Sequence, residues 1–185
     1  MSKKQGSSST KYSSSTMAAL LEDKPKRGRP RHSVPRQNVY VALRPAEKNL
    51  MKQLVASLPP QVKRADVADL AISALTGRME ALRQAVAGRS REIPEGVIDM
   101  ESLYLLWDLS LPDDDSVEKW TSIRVSPQQV IELGRAHGAL NAAFGASRSQ
   151  TFSLALTILT QYLEQNPLSE RDLTVEETRR IVIKG

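Results

Sequence analysis

The 185-residue chain has no cysteine, only two histidines and only eight aromatic side chains: two Phe, two Trp and four Tyr. Without cysteine there is no disulfide scaffold, thiol nucleophile or thiolate metal site, and the reducing cytoplasm fits. No apolar run approaches the roughly 18 residues a spanning helix needs, so neither a membrane span nor a signal peptide is expected. His32 lies among basic residues, and His137 falls on a helical pattern where it reads as a partly buried structural residue. No glycine-rich phosphate loop, nucleophile elbow or metal-ligand spacing occurs. The expectation is therefore no enzyme, no cofactor and no metal. Asp113-Asp114-Asp115 admits a metal reading, but three adjacent carboxylates beside Pro and Ser more often form a solvated loop. What is left is a mildly basic, mostly α-helical chain, long enough for one ordinary domain or two very small ones.

The net charge of +5 is unevenly spread. Residues 1–36 carry nine basic and two acidic side chains, a net +7, and residues 37–84 a net +3. Residues 85–118 carry two basic and nine acidic side chains, a net −7; residues 119–166 return to +2, and residues 167–185 balance. A basic arm thus precedes two weakly basic blocks separated by an acidic connector. The first 23 residues are rich in Ser, Thr and Lys, with too little to bury to repay ordering, so residues 1–35 are expected to be a disordered arm.

Inside the arm, Lys24-Pro25-Lys26-Arg27-Gly28-Arg29-Pro30-Arg31 resembles the AT-hook, a peptide that lies extended in the minor groove of AT-rich DNA. Gly28 lacks a Cβ and permits close approach, Pro30 keeps the chain extended, and Arg27 and Arg29 can point along the narrow, negative groove. Lys24, Lys26 and Arg31 would stand near phosphates and release counterions. The same eight residues also suit a solvated basic linker or a localisation signal.

The strongest internal signal is a repeat. Asn38 to Pro45 alternates with period two and then gives way to a helical pattern with Leu50, Leu54, Val55 and Leu58, ended by Pro59-Pro60. A second helix is expected from about Arg64, with Val67, Leu70, Ala71, Leu75, Met79 and Leu82 at helical spacing. Eighty-two residues on, Trp120 to Pro127 repeats the strand and its proline, followed by a helix with Val130, Leu133 and Ala136. Ser147-Arg148-Ser149 then opens another helix, in which Arg64, Leu70, Ala71, Leu75 and Thr76 find their counterparts 84 residues later. A unit of about 45 residues with one strand and two helices cannot satisfy its strand or bury its faces alone. Two units can, by pairing strands into an antiparallel ribbon over a shared core of Val39, Val41, Leu43, Ile123 and Val125.

These residues make residues 36–84 and 119–166 resemble ribbon-helix-helix DNA-binding proteins of the Arc/MetJ/CopG type, here in tandem within one chain. The resemblance implies a fold that is mostly α with a small antiparallel β-ribbon, and a monomer that acts as an intramolecular pseudo-dimer on double-stranded DNA. Alternation turns Asn38, Tyr40 and Ala42 outward from the first strand, and Trp120, Ser122 and Arg124 from the second. The resemblance makes these the base-contacting positions in the major groove. Arg124 suits guanine, Asn38 adenine and Ala42 a thymine methyl. Trp120 and Tyr40 can instead cover apolar surface at the ribbon ends. The resemblance also puts phosphates at the start of each second helix, around Lys63, Arg64 and Ala65 and around Ser147, Arg148 and Ser149, where backbone amides and the helix dipole favour anions.

The biological role stays open at this level. Transcriptional repression, accessory work in conjugative or plasmid DNA processing, and plasmid partition all use such binding. An antitoxin-like protein-interaction module is the rival from another class. Ser102 to Trp107 is apolar enough to form a short packed helix in the connector, and Thr174 to Arg180 starts like a capped helix in the 167–185 tail.

Overall fold

The computed structural model describes residues 35–88, 94, 96–112 and 117–184. The basic arm, including Lys26, Arg27, Gly28, Arg29, Pro30 and Arg31, lies outside these residues, as do Asp113, Asp114 and Asp115.

The described chain is mostly helical, with one two-stranded antiparallel sheet. In order come β1 (Gln37–Leu43), α1 (Pro45–Gln53) with a closing 3-10 turn (Leu54–Ser57), α2 (Val67–Ala85), α3 (Met100–Leu106), β2 (Lys119–Val125), α4 (Pro127–Phe144), α5 (Arg148–Gln165) and α6 (Val175–Lys184). Both strands hand over to a helix at a proline, Pro45 and Pro127, whose fixed φ suits the first helical position. The Arg44 amide donates to Glu47 Oε2 at 2.7 Å, satisfying a donor that α1 cannot. At the far end of α4, Gly145 ends the helix in the left-handed conformation (φ 68°), which costs glycine little.

The two strands pair within the chain, in a register that sets Asn38 opposite Arg124, Tyr40 opposite Ser122 and Ala42 opposite Trp120. Val39, Val41, Leu43, Ile123 and Val125 face inward and are buried. Beneath them α2 is the central element, packed on α4, α5 and α6. Its first half, Val67 to Leu75, is wholly buried, a position no amphipathic surface helix occupies. The short helix α3 buries Leu103 and Tyr104 in the same core. Burial pushes the Tyr104 phenol up to about 12, with a Thr157 hydrogen bond opposing that shift.

The C-terminal segment completes the core. The Leu168 amide donates to the Ser57 carbonyl at 3.0 Å, tying the tail to the end of the first helical segment. Thr174 and Glu177 then form a capping box for α6, whose Thr178 and Val182 are buried. Gly77 of α2 lets α6 approach closely: a Cβ there would stand 2.3 Å from the Ile183 carbonyl oxygen.

Two expectations require correction. The second helix of the first unit starts at Val67, not near Arg64, because residues 63–66 form a turn in which the Asp66 amide donates to the Lys63 carbonyl and the Lys63 amide to Asp66 Oδ2 (2.8 Å). Ala42, expected on the outer face, is only 8% exposed. Strand alternation fixes which side a residue points to, but a methyl group does not rise above its neighbours.

Candidate nucleic-acid interface

The outer face of the ribbon is open. Trp120 is 76% exposed and Tyr40 65%, and Asn38, Ser122 and Arg124 are exposed around them. Trp120 and Tyr40 thus stand out from the sheet face, accessible to a partner. The two ends of the face differ chemically. Asn38 and Arg124 form a polar end with donors in a fixed fork, while Trp120 and recessed Ala42 form an apolar end. Tyr40 and Ser122 occupy the middle.

The start of α5 is an N-terminal cap of standard form. Ser147 Oγ accepts the Gln150 amide at 3.2 Å, and Gln150 Oε1 accepts the Ser147 amide at 2.8 Å. The amides of the first turn that this box leaves over have no intrahelical acceptor, and Arg148 beside them is exposed. The Ser149 side chain is buried, and its Oγ accepts the main-chain N–H of Ala42 at 2.8 Å, which ties the start of α5 to the ribbon.

The segment just before α2 is organised differently. Lys63 and Arg64 are exposed and Ala65 is half-buried, but the Lys63 amide is already committed to Asp66. A carboxylate there disfavours a second anion, so the site holds exposed cations without the free helix amides present at Ser147. Asp66 in turn is held by Arg36, which also reaches Asp69 at 3.2 Å. Asp69 lies inside α2, where Oδ1 accepts the Ser126 amide at 3.0 Å. Burial pushes its carboxyl above the ordinary aspartate range, opposed by the Ser126 hydrogen bond and the Arg36 charge. This buried trio had no counterpart in the sequence reading.

Elsewhere a cavity of about 880 Å³ lies between the second halves of α2 and α4 and α3, with Met79, Leu82, Leu140 and Phe144 among its walls. Its charged wall residues are paired along their own helices, Glu80 with Arg83 and Glu132 with Arg135. His137 is half-buried, and among the described residues no three His, Cys, Asp or Glu side chains gather as a metal site. No described helix is long and apolar enough to cross a membrane. Compared with known proteins, the chain matches no family model, no curated protein and no solved structure.

Proposed function

We propose that the chain is a sequence-specific double-stranded DNA-binding protein, a single-chain tandem ribbon-helix-helix domain that regulates transcription. The ribbon enters the major groove with Asn38, Tyr40, Trp120, Ser122 and Arg124 toward base edges. The start of α5 holds a phosphate, and the Lys26 to Arg31 arm follows an A·T-rich minor groove.

The observation that carries the reading is the register. Offsetting the first strand by 82 residues maps Tyr40 onto Ser122, and these two residues are also partners across the ribbon. The same offset maps the Asn38–Arg124 pair onto the Trp120–Ala42 pair. A pseudo-two-fold axis through Tyr40 and Ser122 is what two equivalent units sharing one ribbon require. A face built this way, with an exposed arginine and no apolar cover, suits a groove better than a protein partner.

Selection of bound duplexes from a random pool tests the proposal. A recovered consensus that Arg124→Ala relaxes at one base pair, at a cost of about 1–3 kcal/mol, supports it. No enrichment of any duplex, together with a tightly co-purifying protein, supports the antitoxin-like rival. Mapping the protected site in its genome then separates a promoter, as transcriptional regulation requires, from a transfer-origin or partition locus.

A further inference from the structure

The two ends of the ribbon are held in place unequally. Arg124 stands one residue before the end of β2, and both peptide groups that follow its Cα are gripped from the core. Its carbonyl accepts Arg36 Nη1 at 3.2 Å, and the Ser126 amide donates to Asp69 Oδ1 at 3.0 Å. Arg36 closes the set: Nη1 also donates to the Ala65 carbonyl, while Nη2 pairs with Asp66 and, at 3.2 Å, with Asp69 Oδ2. The Arg36 and Asp69 side chains are only 6% and 3% exposed. Partners from the turn before α2, from α2 itself and from β2 thus converge on one guanidinium.

The opposite end has no such anchor. The 82-residue offset that relates the strands sets Glu118 where Arg36 stands. An ionised carboxylate accepts hydrogen bonds and donates none, so it cannot hold a carbonyl. The Glu118 side chain, 38% exposed, meets Arg44 at 3.9 Å instead. Beside Trp120, the Lys119 carbonyl takes an exposed hydrogen bond from Lys48 Nζ at 3.2 Å.

The side-chain chemistry runs the same way. Arg124 carries a planar fork that suits O6 and N7 of guanine, and Asn38 opposite it carries an amide that suits an adenine edge. A two-point contact discriminates only while its fork is held in place, since a small displacement breaks one of the two bonds. At the other end Ala42 offers a recessed methyl. Trp120 offers one N–H donor and no acceptor, and every base pair shows the major groove at least one acceptor.

We infer that Arg36 is a positioning residue for sequence recognition, and that the preferred duplex is specified on one side. Base identity is fixed beneath Asn38 and Arg124, while the pairs beneath Trp120 and Ala42 are largely interchangeable. This rests on the DNA-binding reading above. Arg36 itself is buried and acts through the Arg124 carbonyl.

The test uses the full-length protein and a duplex it selects from a random pool, with affinity measured for every single base-pair change. Changes on one side are expected to weaken wild-type binding about tenfold, and changes on the other by less than about twofold. Arg124→Ala should identify the strict side by levelling the preference at one of its pairs. Arg36→Lys keeps a cation for Asp66 and Asp69, but a single nitrogen does not also span to the Arg124 carbonyl. It should level that same pair, leave the permissive side as it was, and change nothing further there when added to Arg124→Ala. Arg36→Ala with Asp66→Asn and Asp69→Asn removes the donor without stranding a charge, and it should do the same even if the lysine variant folds poorly. A purely structural Arg36 would weaken binding to all duplexes alike and leave base preferences intact. That result, or equal strictness on the two sides of the wild-type target, overturns the inference and leaves DNA binding standing. Failure of the wild type to retain any duplex overturns both readings.

Discussion

The main-chain N–H of Ser126 donates to Oδ1 of Asp69 across 57 residues of sequence. Ser126 is the residue between β2 and α4, and Asp69 sits in the buried half of α2, so one carboxylate sets where the second strand turns into its helix. Burial raises its pKa above the ordinary 3.8 despite that hydrogen bond and the charge of Arg36.

A raised folded-state pKa means that the native state holds its proton more tightly than the unfolded chain. The stabilisation this brings is complete below 3.8 and is lost as pH rises through the folded value. Asp69→Asn removes the titration while keeping an acceptor for Ser126. Relative to this variant, the wild type should gain stability as pH falls from neutrality toward 4, measured by urea unfolding. A wild type that loses ground over that range would show that Arg36, not burial, dominates.

Arg36→Ala leaves Asp66 and Asp69 buried without their cation. Breaking such a pair costs about 3–5 kcal/mol, and urea midpoints at neutral pH should fall accordingly. Adding Asp66→Asn and Asp69→Asn should recover part of the loss, because the stranded charges are then gone. Recovery of none of it would assign the cost to lost packing.

Ser149→Ala tests the structural role of one serine at the start of α5. With Oγ gone, the Ala42 amide keeps no acceptor in the core, which costs about 1–3 kcal/mol of stability. DNA affinity of the folded variant should stay close to wild type. Arg148→Ala should do the reverse, weakening binding to all sequences and reducing its salt dependence while stability holds.

Gly77→Val tests the seat of the C-terminal helix. The nearest atoms to a new Cβ are the Ile183 backbone, which cannot swing away as a side-chain tip would. Destabilisation of about 1–3 kcal/mol is expected, with proteases gaining access to residues 168–184 before the rest of the domain. Unchanged cleavage at that segment would mean that α6 is held mainly by Thr178 and Val182.

Unfolding should be independent of protein concentration, since both strands of the sheet belong to one chain. Urea curves at micromolar and at hundredfold higher concentration should superimpose. A midpoint that rises with concentration would put the pairing between chains.

Much of this architecture is legible in the residues because the periods are clean. Val39, Val41, Leu43, Ile123 and Val125 alternate, and two prolines mark where alternation stops, so strands and following helices can be placed without coordinates. The candidate site is legible only in part. Alternation turns Ala42 to the outer side but says nothing of depth, which depends on how far its neighbours project. Aligning Arg64 with Arg148 starts α2 three residues early, because the Asp66 carboxylate serves the Lys63 amide and Arg36 and holds residues 63–66 in a turn. The roles of Ser149 and of Arg36 depend on partners 107 and 29 or more residues away, and no local pattern carries such pairings. Charges such as Asp66 and Asp69 read as solvent-facing by default, and burial emerges only once β1, β2 and α2 converge on them.

The ribbon's two strands are encoded separately, and that changes what one codon can do. On a surface made from two identical chains each substitution is made twice, so a contact cannot be improved at one base pair without altering its mate. Here Tyr40 and Ser122, facing each other at the ribbon's centre, are already a phenol and a small hydroxyl. Every outward position can be changed singly, so on the proposed DNA-binding reading the target could drift one base pair at a time.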